Sequence, residues 1–365
     1  MKKSFLIVLF VMLAASMFAA DLSVTLDAGL IFDKENGLRY RTPQTESESE
    51  YTAALSVAYD GESFGGHFEM RNEAEDSPYA YGAIKDPTYK KSHPNSLNNY
   101  FFTRNYGVYV KPCQEVKIAI DAGSVELLAE NISWEPLFAA SLFETQASPS
   151  LIVTWDVDAH LQLITGVNTL VEDHKKPWTG LGMLASYEVF GVGKFIAKYE
   201  SLVDEWDCWD AGLAFQLLAL DTQDVYAGYN VIMPETSFKP IQHRVELFYG
   251  ISIDALSLSC FNSLELKTLD KFGIGDRFAF NATYYWNNII PSLSVNYYYN
   301  FNGGSHLWGA PDTATSKCNK LDIDPRVSFT FGQGTLSTGA RLSFNFRSKK
   351  ERFTWYIPLG ITVGL

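Results

Sequence analysis

The stretch from Gln333 to Leu365, QGTLSTGARLSFNFRSKKERFTWYIPLGITVGL, decides the fold. It contains two segments, Thr335–Arg347 and Arg352–Val363, in which every second side chain is apolar. Side chains on a strand point alternately to opposite faces, so each segment has one apolar and one polar face. Both segments reach the roughly 9 to 11 residues that a tilted membrane-spanning strand needs. They therefore predict two neighbouring strands of a transmembrane β-sheet.

The N-terminus carries the features of an export signal. A short positive region, Met1–Lys3, precedes an apolar run, Phe5–Ala15, and a stretch rich in small residues, Ser16–Ala20. This order predicts a secretory signal peptide over residues 1–20 and a mature domain over residues 21–365. The mature sequence contains no run of about 20 apolar residues, which argues against an inner-membrane helical protein.

Composition agrees with a barrel. The chain of 365 residues is 15% aromatic with a mean hydropathy of -0.06, as expected of aromatic girdles around a polar lumen. It has 29 basic and 42 acidic residues, so without Lys2 and Lys3 the balance is 27 against 42, or -15. This charge disfavours nucleic acid as a partner and favours cations in a water-filled lumen. Acidic loops that only keep the cell surface solvated explain it equally well.

The same alternation recurs along the mature chain in eighteen segments, an even number as in bacterial single-chain barrels. They are Leu22–Phe32, Tyr51–Tyr59, Ser63–Asn72, Tyr100–Val110, Glu115–Ala122, Ser150–Val157, Ala159–Val167, Thr179–Val189, Val192–Leu202, Trp206–Leu217, Gln223–Met233, Gln242–Ile253, Ala255–Lys267, Asp276–Trp286, Ile290–Asn300, Pro325–Phe331, Thr335–Arg347 and Arg352–Val363. We expect an all-β, antiparallel, up-and-down transmembrane barrel of about 18 strands, with 16 as the alternative.

Connection lengths alternate as well. Even-numbered segments lead into tight links such as Asp254, whereas odd-numbered ones lead into long links such as Asp33–Glu50, Glu73–Asn99 and Phe301–Asp324. Short turns on one rim and long loops on the other are typical of membrane barrels, with the short rim periplasmic.

Over its whole mature length the chain resembles the bacterial outer-membrane porin-like β-barrels. The resemblance implies an integral protein of a Gram-negative-type outer membrane, surrounded by outer-membrane lipids. It also implies passive diffusion as the commonest activity and a possible homo-oligomer, since trimers are common among porins. The chain ends in Leu365 where such barrels usually end in Phe or Trp.

Strand parity predicts which charged residues line the lumen, because a charge on the lipid face near the midplane costs roughly 2 to 4 kcal/mol. The expected pore-lining residues are Glu69, Arg71, Lys117, Asp121, Arg244, Glu246, Arg326 and Arg341. Pairing with one another to hold the wall and setting ion selectivity are equally good roles for them.

The long link over residues 123–149 is unusually apolar for an external loop. Folding it into the lumen would bury that surface, and a barrel of 16 to 18 strands has room for it. Its Glu126, Glu130 and Glu135 are then candidates for a constriction. Two further membrane strands hidden in this stretch are the competing interpretation.

Catalytic and metal-binding patterns are weak. The histidines show neither a Ser/His/Asp order nor a metal-ligand spacing, so we expect no enzyme activity, no cofactor and no metal. The four cysteines have no C-x-x-C spacing. Cys208 and Cys318 are the one pair expected on the outer side, and whether they form a disulfide stays open.

Three functions remain. The first is an outer-membrane channel, a porin, for passive diffusion of small hydrophilic solutes or ions, cations in particular. The second is a selective uptake channel for apolar or sugar ligands, which would use inward aromatic residues such as Phe248, Tyr285 and Tyr298. The third is a surface adhesin or structural barrel, which would act through its long loops.

Overall fold

The computed structural model of the protein describes fifteen ranges of the chain. They are residues 21–33, 37–40, 53–73, 100–122, 125–126, 138–142, 150–168, 180–189, 191–202, 208–218, 222–234, 240–268, 272–301, 317–347 and 352–364. Within these ranges the regular elements are strands and a 3-10 helix at Phe138–Ala140. No helix in this part of the chain is long and apolar enough to cross a membrane.

The strands, in chain order, are β1 (Asp21–Asp33), β2 (Gly37–Tyr40), β3 (Ala53–Asp60), β4 (Phe64–Glu73), β5 (Tyr100–Cys113), β6 (Val116–Asp121), β7 (Val125–Glu126), β8 (Ser141–Leu142), β9 (Ser150–Asp156), β10 (Leu161–Asn168), β11 (Leu181–Val189), β12 (Gly193–Leu202), β13 (Cys208–Leu217), β14 (Gln223–Pro234), β15 (Gln242–Ile253), β16 (Leu256–Lys267), β17 (Gly273–Tyr284), β18 (Ile289–Phe301), β19 (Lys317–Phe331), β20 (Gly334–Gly339), β21 (Arg341–Asn345) and β22 (Phe353–Gly364). All of them except β7 and β8 belong to one antiparallel sheet, and β7 pairs only with β8.

The strand pairings run around a ring. Apart from β2 with β3 and β20 with β21, strands of the large sheet that follow one another in the chain are paired, and β1 pairs with β22 from Thr25 opposite Gly364 to Asp33 opposite Tyr356. β2 and β3 both pair with β1 and share one position, and β20 and β21 share another between β19 and β22. The twenty segments therefore fill eighteen positions, and the predicted antiparallel all-β barrel architecture is confirmed.

Proline explains why β20 and β21 are separate segments. Their pairings with β19 and β22 keep one register throughout, which sets Ala340 opposite Pro325 and Gly339 opposite Pro358. A proline has no N–H to donate to a strand ladder, so the pairing weakens at that level. The N–H of Ala340 still donates to the carbonyl oxygen of Pro325 at 3.0 Å.

Two predicted loops are partly wrong. Gly37–Tyr40 within the predicted loop Asp33–Glu50 is a strand, paired with residues 30–33 of β1. Lys317–Asp324 within the predicted loop Phe301–Asp324 extends β19. The hidden-strand interpretation of residues 123–149 is also excluded, because β6 pairs directly with β9 from Val116 opposite Trp155 to Asp121 opposite Ser150.

Alternation separates the two faces of the wall as parity predicted. On β15, Val245 and Leu247 are exposed, whereas their neighbours Arg244, Glu246 and Phe248 are buried. The exposed residues of the other strands are likewise mainly apolar or aromatic. The outer face therefore suits lipid.

The outer face also carries a polar pair. Asn262 on β16 and Asp276 on β17 share the outward parity of exposed Leu264 and Phe278. The side-chain amide of Asn262 donates to Asp276 Oδ1 at 2.8 Å and to the carbonyl oxygen of Arg277 at 3.2 Å. The amide thus finds its partners within the wall.

Cys208 and Cys318 are far apart. Cys208 begins β13, Cys318 lies on β19, and six strand-to-strand steps separate them around the ring. Adjacent strands are about 4.8 Å apart, and a disulfide requires Cα atoms within about 7 Å. These two cysteines therefore form no disulfide with each other.

Tight turns along the short rim use residues that tolerate a left-handed backbone. Asp254 and Asn287 have φ angles of 50° and 51°, and Gly191 and Gly332 have φ angles of 68° and 54°. Asn, Asp and Gly adopt this region most readily, and turns that join antiparallel strands often require it. In another short turn, Asp158 Oδ1 accepts the N–H groups of His160 and Leu161 at 2.7 and 2.8 Å, which lowers the pKa of that carboxyl.

The β1–β22 pairing can be tested by cross-linking. In a variant without native cysteines, Gly29→Cys with Gly360→Cys should form a disulfide, because these residues lie directly opposite each other. The control pair Gly29→Cys with Thr362→Cys is displaced by two residues and should not cross-link, since diagonal Cα atoms are about 7 to 8 Å apart. Electrophoresis with and without reductant measures this, and cross-linking of only the control pair would show a different register.

Candidate pore lining

The inner face carries an apolar belt on one side of the barrel. Each of the nine consecutive wall strands β9–β17 contributes one inward apolar residue to a buried cluster. They are Ile152, Ile164, Leu184, Ile196, Ala214, Tyr226, Phe248, Phe261 and Ala279. Sequence parity expected Phe248 to face inward but did not predict the belt as a whole, since it treated most of the inner face as polar. Apolar side chains on a lumen wall need a cover, because water would otherwise contact them.

The cover includes the 3-10 helix Phe138–Ala140 and strand β8. The helix contacts β12, β13 and β14, and β8 contacts β11 and β12. Ala139, Ala140, Ser141 and Leu142 have no exposed surface, and three of them belong to the same apolar cluster as the belt. These residues therefore lie inside the barrel, against the wall at β11–β14.

A buried ionic triad lies next to this contact. Lys198 Nζ on β12 lies 3.2 Å from Glu200 Oε2 and 2.9 Å from Asp210 Oδ2 on β13. All three side chains are almost fully buried, so each charge depends on its partners rather than on water.

A second buried group lies three strands away. Arg244 Nε donates to Glu265 Oε1 at 2.8 Å, and the amide of Gln242 donates to Glu265 Oε2 at 2.6 Å. The neighbouring carboxylate, Glu246, is fully buried and accepts the hydroxyl of Tyr226 at 3.2 Å and the N–H of Ala139 at 3.3 Å. This carboxylate therefore links the wall to residues 138–142, the inward segment.

The wall at β19–β21 carries a more open cluster around two aspartates. Asp322 Oδ2 lies 2.9 Å from Lys320 Nζ and 3.4 Å from Arg341 Nη2, and its Oδ1 accepts the Ser343 hydroxyl at 2.6 Å. Arg326 and Asp324 form a bidentate pair, with Nε–Oδ1 at 2.8 Å and Nη2–Oδ2 at 2.7 Å. The side chains of Lys320 and Arg326 keep 27% and 28% of their surface exposed, so this part of the wall is more open than the belt side.

Tyr298 adds an aromatic ring beside this cluster. It lies opposite Arg277 on β17 and opposite Lys320 on β19. The guanidinium of Arg277 lies 5.2 Å from the centre of the ring, within range of a cation–π contact.

A third group lies on β4–β6. His67 Nε2 is 3.6 Å from Asp121 Oδ1, across Gly107 on β5, and both side chains are partly exposed. A Cβ at Gly107 would overlap Asp121 Oδ2 and lie 2.6 Å from His67 Cε1. The glycine therefore lets the two side chains approach each other. Within the described part of the chain, no group of three His, Cys, Asp or Glu side chains is placed to hold a metal ion.

The residues predicted to line the pore do not form one site. Arg244 and Glu246 lie beside the belt, Arg326 and Arg341 lie in the open cluster, and Asp121 lies beside His67. Lys117 Nζ lies 4.5 Å from the centre of the Tyr109 ring. Glu69 and Arg71 belong to β4, and the structure describes their backbone alone.

The three constriction candidates are placed only in part. Glu126 pairs with Ser141 in the β7–β8 ladder. Glu130 and Glu135 lie outside the described residues.

Sequence reasoning also missed charged residues with clear partners. They include His67, Lys198, Glu200, Asp210, Glu265, Lys320, Asp322 and Asp324. For Lys198 and Glu200, parity with Ile196 on the same strand would have given the correct face.

The ionic triad predicts a large loss of stability on single substitution. Lys198→Met would leave Glu200 and Asp210 buried without their cation, which should lower the free energy of unfolding by roughly 3 to 5 kcal/mol. The triple variant Lys198→Met, Glu200→Gln, Asp210→Asn should recover much of that loss, because no charge then remains to be stabilised. Urea unfolding in detergent measures both, with the half-buried Lys194→Met as the control on the same strand. Equal losses for Lys194→Met and Lys198→Met would contradict the expectation.

Comparison with known proteins supports the fold. No protein-family model matches the sequence, and no curated protein matches it. Among solved structures, the chain is similar to Pseudomonas aeruginosa OccK3 (OpdO), with a TM-score of 0.55, 6% identity, and coverage of 95% of this chain and 96% of that one. P. aeruginosa OccK10 (OpdN) gives 0.54, 8%, 95% and 99%, and OpdK, solved with vanillate, gives 0.53, 9%, 95% and 98%. The chain therefore has the porin-like β-barrel fold of integral outer-membrane proteins.

Proposed function

We propose that the protein is an outer-membrane channel for passive diffusion of small hydrophilic solutes, with a preference for cations. The observation that carries the proposal is the ring of eighteen strand positions with an apolar outer face and charged groups on its inner face. Barrels of 16 to 18 strands leave an aqueous channel unless a segment fills it. A passive channel needs no catalytic group.

The water path follows the half of the wall opposite the belt. Residues 138–142 occupy the side of β11–β14, where the inner face is apolar and buried. Lys320 and Arg326 on β19 keep more exposed surface, and so do His67 and Asp121 on β4 and β6. Solutes would therefore pass between the inward segment and this second half of the ring.

The whole segment 123–149 forms the constriction in this proposal. Both described parts of it support an inward course: residues 138–142 pack inside the barrel, and β7 pairs with β8. Glu126, Glu130 and Glu135 would then face the remaining opening.

Those glutamates decide the sign of ion selectivity. Beside the belt there are two basic residues and four acidic ones, an excess of two acids. The basic residues are Lys198 and Arg244, and the acidic residues are Glu200, Asp210, Glu246 and Glu265. In the open cluster, Lys320, Arg326 and Arg341 stand against Asp322 and Asp324, an excess of one base. Since these described groups nearly balance, the acidic excess of the chain lies mostly elsewhere, and the segment is where it can act on a permeating ion.

A selective uptake channel is the second candidate. Arg277 over the Tyr298 ring beside Lys320 is an arrangement that could hold a planar ligand. OpdK, which has the same fold, was solved with vanillate. Phe248 is buried and Tyr285 lies beyond the end of β17, so two of the three aromatic residues expected from the sequence do not support this function. A solute that blocks ion current at a saturating concentration would favour uptake, whereas a surface adhesin or structural barrel would show no current.

Cation preference is tested in planar bilayers. At low salt the reversal potential across a salt gradient should show cation selectivity, and high salt should reduce it, because the Debye length falls from about 30 Å at 0.01 M to about 3 Å at 1 M. Glu126→Gln, Glu130→Gln, Glu135→Gln together should move the reversal potential toward zero without changing the fold.

The matched control removes the same charge elsewhere. Glu46→Gln, Glu48→Gln, Glu50→Gln change three glutamates in the stretch between β2 and β3 and should move the reversal potential less. Equal shifts in the two triple variants would assign the selectivity to total charge rather than to the constriction.

A further inference from the structure

The inward segment is held against the wall at a small, specific seat. Ala139, at the centre of the 3-10 helix, is fully buried over the inner faces of β13 and β14. The wall residues beneath it are Gly212 on β13 and Gly228 on β14. Both have inward parity, since Gly212 lies opposite Lys198 and Gly228 lies opposite Glu246.

Each glycine leaves room for a different atom. A Cβ at Gly212 would lie 3.0 Å from the Cα of Ala139 and 3.3 Å from its carbonyl oxygen, which is tighter than ordinary van der Waals contact with a backbone. A Cβ at Gly228 would overlap the hydroxyl oxygen of Tyr226 and lie 3.1 Å from the Cβ of Ala139. Gly212 therefore admits the backbone of the segment, and Gly228 admits the Tyr226 side chain.

The polar part of the seat converges on one oxygen atom. Glu246 Oε2 accepts the N–H of Ala139 at 3.3 Å and the hydroxyl of Tyr226 at 3.2 Å. Glu246 and Tyr226 are both almost fully buried, so these bonds form away from bulk water. A hydrogen bond to a buried carboxylate is stronger than one between neutral groups, which suits it to fix residues 138–142 against the wall.

We propose that Glu246, Tyr226, Gly212 and Gly228 form a latch that fixes the inward segment and so sets the open cross-section of the pore. They are positioning residues, because the segment covers them and a permeating solute does not touch them. The effect on conductance rests on the proposed channel function, whereas the latch itself does not. Glu246, expected from sequence parity to line the pore, thereby acts through the position of the segment rather than through its charge.

A thiol probe detects the latch without any current. In a variant whose four native cysteines are replaced, Ser141→Cys introduces a nearly isosteric thiol at a fully buried position beside the seat. Membrane-impermeant maleimide should label it slowly while the segment is seated. Adding Gly212→Val should raise the labelling rate, because the new side chain occupies the space of the Ala139 backbone.

The control is an inward glycine of the same wall whose nearest neighbours do not belong to residues 138–142. The atoms nearest to an added Cβ at Gly250 on β15 belong to the side chains of Phe248 and Asp224. Gly250→Val should leave the labelling rate of Ser141→Cys unchanged. Circular dichroism of each variant checks that the sheet is retained.

Gentler variants separate the latch from a folding defect. Tyr226→Phe removes one donor to Glu246, and Glu246→Leu removes the acceptor, so both should raise the labelling rate. Glu246→Gln keeps an acceptor oxygen and should label as slowly as the parent. In planar bilayers the variants that label faster should also conduct more, while Glu246→Gln should keep the parent conductance and reversal potential.

The outcomes distinguish the two claims. Unchanged labelling in Gly212→Val and Tyr226→Phe overturns the latch, and so does a reversal potential that Glu246→Gln shifts while labelling stays slow, since Glu246 would then act as a selectivity charge. Faster labelling without any conductance in parent or variants supports the latch and overturns the channel function.

Discussion

Hydrocarbon offers the backbone no hydrogen-bond partner, and the whole structure follows from that constraint. A sheet within lipid has to pair its strands on both sides, so β1 returns to β22, and each of the eighteen positions in the described part of the chain pairs with both of its neighbours. The pairing weakens where Pro325 and Pro358 lie, because a proline has no N–H to donate to a neighbouring strand. Two prolines flank one strand there, and the ladder continues only because both neighbouring segments keep the same register.

Closing the ring creates an interior, and this interior is divided. Half of it carries an apolar belt, residues 138–142 cover the part of that belt on β11–β14, and ionic groups such as Lys198 with Asp210 lie within this covered part. The other half carries ion pairs that keep contact with solvent, such as Arg326 with Asp324. In the proposed channel, side chains of the same kind would therefore differ in role: covered charges would hold the wall together, and open charges would act on a permeating ion.

The sequence predicted the strands of the wall better than the residues that pack inside the barrel. A period of two fixes the face of every residue, and turn residues such as Asp254 and Asn287 mark the ends of strands, so eighteen positions could be counted. Gly37–Tyr40 was missed because four residues are too few to show a period. Lys317–Asp324 was assigned to the long link Phe301–Asp324, although Asp322 and Asp324 face inward and are compatible with a strand.

Strand parity could not predict which residues of the inner face are covered, because the covering residues are distant in sequence. Parity assigns Glu246 to the inner face correctly, yet the N–H that approaches it belongs to Ala139, far along the chain. A glycine within a strand indicates only a weak strand propensity, so the sequence alone did not show that Gly212 makes room for Ala139 and Gly228 for Tyr226.

In the proposed channel, the division of the interior separates the control of pore width from the control of ion selectivity. Width depends on how closely the segment approaches β13 and β14, which is a matter of van der Waals contact and one buried carboxylate. Selectivity depends on charges that water and ions reach, because a charge compensated by a close partner in a covered layer exerts little net field on a passing ion. A substitution at the seat should thus change how much passes, and a substitution at an open charge should change what passes. Because different residues control the two properties, either one can change without loss of the closed wall.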